Sequence, residues 1–342
     1  MGDVLRKAIS GAIAPAARLL LVVGSDGQGV ERADGKVRIS GNSDIFRLLP
    51  DELACEQLNL GMQRSASRQF LKQHGAPDLS RFDCVLNLVT DADQNPKTLE
   101  TLRKLLRGYR GRVANSPNAV IRSTRDQVAK QLAGIPGLRV PATLRLRGLK
   151  VPAAFRSVER AGLSFPSILR RAGTHGGSIV GRVEGPDELA AALAERGDYI
   201  LTEFADFQSA DGLYRKYRVF FFGDRWVFRH MLAADQWNIH ARQRADFMAH
   251  HQQLLDEEAV MFRDGAFTPA VRQVLDAVAE RMELDFFGMD FGIDQGGRVV
   301  LFEANATMNF FPFLTDPKFD YVRACVEPSQ RAFLRLLGVD KG

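Results

Sequence analysis

Near the C-terminal end, the stretch FFGMDFGIDQGGRVVLFEANATMN sets three oxygen-bearing side chains within two apolar runs. Glu303 and Asn305 are two residues apart, and side chains two apart on a strand point to the same face. Asp290 lies among apolar neighbours in the run before. A carboxylate in such a setting is costly to bury unless something pairs with it. Converging across a hairpin, Asp290, Glu303 and Asn305 form an oxygen donor set that suits a hard cation such as Mg²⁺.

Other stretches offer positive charge and backbone donors. In RRAGTHGGSIV, Gly173, Gly176 and Gly177 join two strands and expose backbone N–H groups that can cradle phosphate oxygens, with Arg170 or Arg171 adding charge at the strand end. A plain hairpin turn would use the same glycines. The loop is not a P-loop, because no GK[ST] and no helix follow it. In YILTEFADF, Glu203 ends an apolar strand whose free backbone groups can read an adenine edge, and Asp206 beyond it could meet ribose hydroxyls. In KYRVFFFGDRWVFRHMLAADQWNIHA, Lys216 and Arg218 share a strand face. Arg229 and His230 end the partner strand, and Asn238 and His240 share a face if that segment is extended.

The elements that must position these residues follow from pattern. RLLLVVG, FDCVLNLVTD and RVANSP read as strands and alternate with helices over SASRQFLKQHGA and NPKTLETLRKLLRG, which argues a parallel sheet with crossovers. The segment GSDGQGVERADGKVRISGNSD reads as loops with room for a hairpin, and its glycines do not match the dinucleotide fingerprint. Further on come the helix RSTRDQVAKQLAG, the Pro-rich entry IPGLRVPAT, and the strand–turn–strand around the glycines. They are followed by the helix GPDELAAALAERG, the strand YILTEFA, a hairpin turning at Gly223-Asp224, the helix TPAVRQVLDAVAERMEL, and the hairpin that carries Asp290 and Glu303. No internal repeat is present.

Composition bounds the function. The chain has 342 residues, 45% hydrophobic and 25% charged, which is enough for two or three globular lobes. No apolar run reaches the roughly 18 residues of a membrane span. The N-terminal stretch reads as leading into a first buried strand rather than as a signal peptide. Cys55, Cys84 and Cys325 lack paired metal spacing and read as reduced thiols of a cytoplasmic protein. The net charge of +5 is unevenly placed: residues 101–172 hold 16 Lys+Arg against 2 Asp+Glu. Such a basic middle suits a cleft for anions, or Arg-rich solvated helices. There is no zinc finger, aromatic–glycine RNA signature or basic tail, so nucleic acid is not the expected partner, nor is a membrane. No His/Cys zinc cluster and no nucleophile elbow appear.

Taken in order, ANSPNAVIRSTRDQVAKQL, FPSILRRAGTHGGSIV, YILTEFA, YRVFFFGDRWVFRH, WNIHA and GMDFGIDQGGRVVLFEANATMN resemble the ATP-grasp superfamily. The likeness is to its carboxylate–amine ligases, such as D-alanine–D-alanine ligase, glutathione synthetase and the ribosomal-protein glutamate ligase. It spans about Val113 to Phe313. It implies an α/β chain with an α+β grasp: an N-terminal parallel-sheet domain over 1–117, a central grasp lobe over 118–200 with the Gly-rich phosphate loop, and a C-terminal lobe over 201–342 with the metal site and a helical tail.

The resemblance also implies roles. Asp290, Glu303 and Asn305 would hold one or two Mg²⁺, with Mn²⁺ as an alternative, bridging the phosphates of ATP. The loop of Gly173, Thr174, His175, Gly176 and Gly177 would close over them. Glu203 and Phe204 would line the adenine hinge, and Lys216 would join the nucleotide contacts. Arg218 and Arg229 would face the phosphates or an acyl phosphate, with Asn238 and His240 near phosphates and substrate. Arg170, or Arg171, stands where the family has lysine, and arginine keeps the charge while binding phosphate bidentately. Gln127 stands where a second lysine often follows. The implied activity is ATP-dependent formation of a C–N bond between a carboxylate and an amine, each a small molecule or peptide, through an acyl phosphate. A small-molecule kinase and a non-catalytic ATP-binding protein are the alternatives. A homodimer would be in keeping with such ligases.

Overall fold

The structure, a computed structural model, describes residues 17–27, 30–33, 36–61, 77–148, 150–174 and 179–339. Strand β1 (Arg18–Gly24) is buried from Leu19 onward. It is followed by a hairpin of β2 (Val30–Ala33) and β3 (Lys36–Ile39) and then by β4 (Ala54–Leu60), β5 (Cys84–Asn87) and β6 (Arg112–Ala114). The expected parallel sheet is present, in the order β4-β1-β5-β6, with every pairing parallel. The edge strand β4, ACEQLNL, is mostly exposed and was not among the expected strands, because its polar residues give no apolar alternation. The helix expected over SASRQFLKQHGA lies outside the described residues.

Helix α1 (Pro96–Leu105) opens on proline and buries Leu99 and Leu102. Its first amides are capped from the loop after β1. The Asp26 carboxylate accepts from the N–H groups of Lys97 and Thr98 at 2.8 and 2.7 Å. An internal carboxylate therefore occupies the positive end of this helix, where a nucleotide-binding turn would hold phosphate.

Helix α2 (Arg125–Leu132) and the short β7 (Leu138–Arg139) come next. Their buried residues Val128, Leu132 and Leu138 pack in the core shared with the C-terminal sheet. A separate core running from Leu146 to Leu201 belongs to an antiparallel sheet of order β10-β9-β11-β8, made of β8 (Thr143–Arg147), β9 (Ser167–Arg171), β10 (Gly181–Val183) and β11 (Asp198–Glu203). Helices α3 (Val151–Arg160) and α4 (Pro186–Ala192) contribute Val158 and Leu189 to that core. Strand β8, with the alternation TLRLR, and the amphipathic helix α3, which carries a proline in its first turn, were not among the expected elements.

The C-terminal sheet has the order β13-β12-β14-β15-β7. Its first hairpin, β12 (Tyr214–Phe222) and β13 (Arg225–Ala234), turns at Gly223 with φ +62°, as the Gly-Asp dipeptide predicts. Helices α5 (Gln252–Asp264) and α6 (Pro269–Arg281) precede β14 (Phe286–Ile293) and β15 (Val299–Asn305), and α7 (Val326–Leu337) closes the chain. Aromatic residues fill this sheet's core, as where Phe221 and Phe287 stack with centroids 4.3 Å apart. Among the described residues, no helix is long and apolar enough to cross a membrane.

The N-terminal sheet is fastened to this frame at named points. Asn115, fully buried with φ +56°, spans the junction. Its amide oxygen accepts from the N–H groups of Asp285 and Phe286, and its amide nitrogen donates to the Phe286 carbonyl at 2.8 Å. Asp44 accepts the N–H groups of Phe310 and Phe311 at 2.8 and 3.0 Å. Arg145 of β8 reaches Asp93 with two bonds of 2.8 and 2.9 Å and Asp126 of α2 with one of 2.8 Å. Removing the Asn115 side chain orphans three buried backbone groups while keeping the left-handed backbone. Asn115→Ala is therefore expected to cost about 3 kcal/mol of unfolding free energy in a urea titration, with a smaller loss in stability for Asn115→Gly at acid-independent pH than for Asn115→Val.

Candidate active site

Between the central and C-terminal sheets lies a cavity of about 410 Å³. One wall is a row of side chains laid across three strands. In β12, Arg218 donates through Nε and Nη2 to the two oxygens of Asp290 at 2.6 and 2.7 Å. Lys216, two residues earlier on the same face, has Nζ 3.7 Å from Asp290 and donates to the Ile239 carbonyl at 2.7 Å. Asp290 stands opposite Arg218 on one side and opposite Glu303 on the other. Glu303 accepts from Asn305 Nδ2 at 2.7 Å and is paired with Arg125 at 2.6 Å. The Oδ1 of Asn305 is buried without a hydrogen-bond partner among the described residues.

Two β-bulges flank this row, one after Arg218 in the β12–β13 pairing and one after Asp290 in the β14–β15 pairing. A bulge sets two residues against one and breaks strict alternation. Arg229 is the inserted residue beside His230, and Phe302 the one beside Glu303. Neighbours in sequence thus line the cavity together: Arg229 with His230, and Phe302 with Glu303. Gly288, paired with Asn305, admits Met308, whose Sδ would lie 2.6 Å from any added Cβ. The loop after β15 can fold back against the sheet only because that position lacks a side chain.

Charge decides the protonation states. Burial pushes the Asp290 carboxyl upward, but Arg218 and Lys216 outweigh it and hold it below the ordinary carboxylate range. Burial pushes Lys216 below the usual lysine value. Burial, with Arg125 adding to it, brings Arg170 down to about 10. His230, surrounded by Arg218, Arg229, Arg244 and Lys216 and buried besides, lies well below the usual imidazole value and is neutral. Burial and nearby Lys216 lower His240 in the same way. Arg125, Arg170, Lys216 and Arg218 all line the cavity with Arg229 and Arg244, beside the carboxylates of Glu203, Asp290 and Glu303, and such an excess of positive charge suits a polyanion.

The sequence reading can be followed residue by residue. Of the two arginine candidates on β9, Arg170 lines the cavity with Ile168, while Arg171 turns outward to pair with Glu195 over the Tyr199 ring. Gly173 has φ +71° and its carbonyl accepts from Gln94 of the N-terminal domain. Thr174 Oγ1 donates to the Arg171 carbonyl at 2.7 Å. His175, Gly176 and Gly177 lie outside the described residues. Glu203 and Phe204 line the cavity, but their amides already donate to the carbonyls of Ala142 and Pro166, each at 2.9 Å. Phe204 meets Trp237 edge to face at 5.5 Å. Asn238 and His240 line the same cavity. Asp206 instead accepts the Gln208 amide at 3.1 Å on an exposed loop, and is absent from the lining.

Arg229 departs from the expected arrangement. Its guanidinium donates to the carbonyls of Phe310 and Pro312 at 2.9 and 3.3 Å and lies 4.0 Å from the Phe313 ring centre, rather than on the carboxylate row. Arg125, the first residue of α2, is a site residue that the sequence pattern did not mark; it reaches Glu303 only through the packing of α2 on β15. Four arginines of the basic middle meet acids distant in sequence: Arg122 with Glu283, Arg125 with Glu303, Arg145 with Asp93 and Asp126, Arg171 with Glu195.

The donor set can be tested against a divalent cation. Among the described residues, no three His, Cys, Asp or Glu side chains gather as a metal cage. The set here is two carboxylates and the unpartnered Asn305 oxygen. Two carboxylates with further oxygen supplied by phosphates is the usual manner in which Mg²⁺ is held, so the residues fit a cation that arrives with a nucleotide better than a bare one.

The Arg218–Asp290 pair makes a pH prediction. A depressed folded pKa contributes stability that is full above the ordinary carboxylate range and is lost as pH falls through the lowered value. In Arg218→Met, Asp290 would lose its two-bond partner and keep only the weaker approach of Lys216 against burial. The melting-temperature gap between wild type and Arg218→Met should therefore be widest near neutral pH and close as the pH drops below about 4. A gap independent of pH would contradict the pairing.

No protein-family model matches the sequence, and no curated protein does. Solved structures do align with it. The VanG D-Ala:D-Ser ligase of Enterococcus faecalis is 13% identical with a TM-score of 0.51, the alignment covering 94% of this chain and 99% of that one. A D-alanine–D-alanine ligase of Bacillus anthracis is 12% identical with a TM-score of 0.48, covering 94% and 99%. A RimK domain ATP-grasp protein of Sphaerobacter thermophilus is 16% identical with a TM-score of 0.48, covering 91% and 98%. At such identities the likeness is one of fold, the fold of the VanG ligase structure.

Proposed function

We propose that this chain is an ATP- and Mg²⁺-dependent ligase that joins a carboxylate to an amine through an acyl phosphate. The observation that carries this reading is the row Arg218–Asp290–Glu303–Asn305, with its orphaned amide oxygen, in one cavity with Arg125, Arg170 and Lys216. The apolar slot between Ile168, Phe204 and Leu301 would take the adenine, and the hinge backbone after Glu203 would read its edge. Arg170, Lys216 and Arg218 would hold the phosphates. Asp290, Glu303 and Asn305 would hold Mg²⁺, which when bound neutralises charge on the transferring phosphoryl group.

In the first step a substrate carboxylate oxygen attacks the γ-phosphorus and ADP leaves. In the second an amine nitrogen attacks the acyl carbon and phosphate leaves, giving an amide. The chain's part is to orient the reactants and to spread the developing negative charge over fixed cations. Asn238 and the neutral His240 stand at the mouth of the phosphate end and can bond substrate without adding charge. Neither cysteine nor serine lines the cavity among the described residues, in keeping with activation by phosphorylation rather than by an enzyme-bound acyl group. A kinase on the same fold would keep the phosphate on its product.

ADP release should depend on Mg²⁺, a carboxylate and an amine together, and free phosphate should appear in equal amount. Glu303→Ala should lower the rate about 100-fold or more with an unchanged circular-dichroism spectrum. Full ADP release from Glu303→Ala, or phosphate retained on the product, would contradict the ligase reading.

A further inference from the structure

Beyond the phosphate end, the cavity continues into a lobe whose chemistry changes. Its lining comes from the loop after β15 and the following 3₁₀ segment, including Phe310, Phe311, Phe313, Phe319 and Val322. Arg229 enters this lobe 6% exposed, and His230 beside it is 9% exposed. Three guanidiniums stand at this end. Arg218 is matched by Asp290 and Arg244 by Glu258, which is itself fully buried. Arg229 makes no ion pair among the described residues; it donates to two carbonyls and lies over the faces of Phe310 and Phe313. A buried cation so placed is a receptor for one anionic group. His230 Nε2 is likewise buried and without a hydrogen-bond partner among the described residues.

We propose that the acid substrate is a hydrophobic monocarboxylate, its carboxylate on Arg229 and its aryl or branched alkyl group against Phe310, Phe311, Phe313 and Phe319. The assignment rests on reading this cavity as the ligase site, and it adds the substrate class. Three observations carry it. Among the guanidiniums that line this end of the cavity only Arg229 has no carboxylate partner among the described residues, while Arg47 and Arg323 stack on Phe311 and Phe313 from outside the lining, so a second carboxylate on the ligand would be buried against phenyl rings. The neutral imidazole of His230 supplies a polar contact without a second charge. The apolar wall is preformed, because Asp44 holds the amides of Phe310 and Phe311 and Arg47 lies 4.2 Å from the Phe311 ring centre. A rigid wall does not have to be ordered by the ligand. The placement is also productive: the bulge sets Arg229 beside His230, which pairs with Arg218, so a carboxylate on Arg229 adjoins the row that would hold the γ-phosphate.

The test is calorimetric titration of the full chain, with Mg²⁺ and a non-hydrolysable ATP analogue present, using hydrocinnamate, isovalerate, acetate, succinate and glutamate as probes. Hydrocinnamate should bind about tenfold or more tightly than succinate or glutamate. Arg229→Met should weaken hydrocinnamate about tenfold while the analogue's affinity stays within about twofold. Phe313→Ala, at a half-buried position, should weaken hydrocinnamate and leave acetate unchanged. Should Arg229→Met not fold, Arg229→Lys, which keeps the charge and loses the planar fork, should weaken hydrocinnamate several-fold. Equal or tighter binding of succinate or glutamate, no carboxylate binding at all, or hydrocinnamate affinity unchanged in the Arg229 variants would overturn the assignment. Failure of the ligase reading looks different: hydrocinnamate binds and depends on Arg229, yet no ADP forms when an amine and ATP are added.

Discussion

The Asp290 carboxylate, 5% exposed in the middle of a sheet, is the constraint around which the C-terminal lobe is arranged. An unpaired charge there would unfold the strand it sits on. Arg218 meets it with two bonds across one strand, Lys216 approaches from the same face, and Glu303 follows across the other strand with its own partner in Arg125. The arrangement is stable without ligand because each carboxylate has a cation. It is also poised for one, because the cations lining the cavity outnumber the carboxylates and the Asn305 amide oxygen has no partner among the described residues. A nucleotide with its cation would exchange these internal pairs for stronger ones with fixed geometry.

The bulges next to Arg218 and Asp290 explain how one sheet can carry both this polar row and the apolar lobe. Strict alternation would send Arg229 to the opposite face from His230. The inserted residue brings both to the cavity and turns the guanidinium toward the phenyl rings. The N-terminal domain then acts at a distance, through Asp44 on the loop that forms those rings' backbone and through Asp93 on Arg145 of the central sheet. Its contribution to the site is support of the walls, since its own helix end at α1 is capped by Asp26.

Much of this was legible in the sequence where the pattern is local. Two apolar strands with acids at matching positions gave the hairpin of Asp290 and Glu303, and the Gly-Asp dipeptide gave the hairpin that carries Lys216 and Arg218. What was not legible depends on long-range pairing. An exposed polar edge strand such as β4 has no period to read, since parallel pairing with β1 defines it. The excess of arginines over residues 101–172 reads as a cleft for anions or as solvated helices, and only the folded chain brings Glu283, Glu303, Asp93 and Glu195 to four of them. Arg125 reaches the site by the packing of α2 against β15, and Arg229 by a register shift that no spacing rule foretells.

A crystal structure of the chain with Mg²⁺ and a non-hydrolysable ATP analogue tests the central claim most directly. The account predicts phosphate density against Arg170, Lys216 and Arg218, a cation ligated by Glu303 and Asn305, and adenine beside Phe204. Nucleotide bound elsewhere, or a cation that leaves Asn305 without a partner, would contradict it.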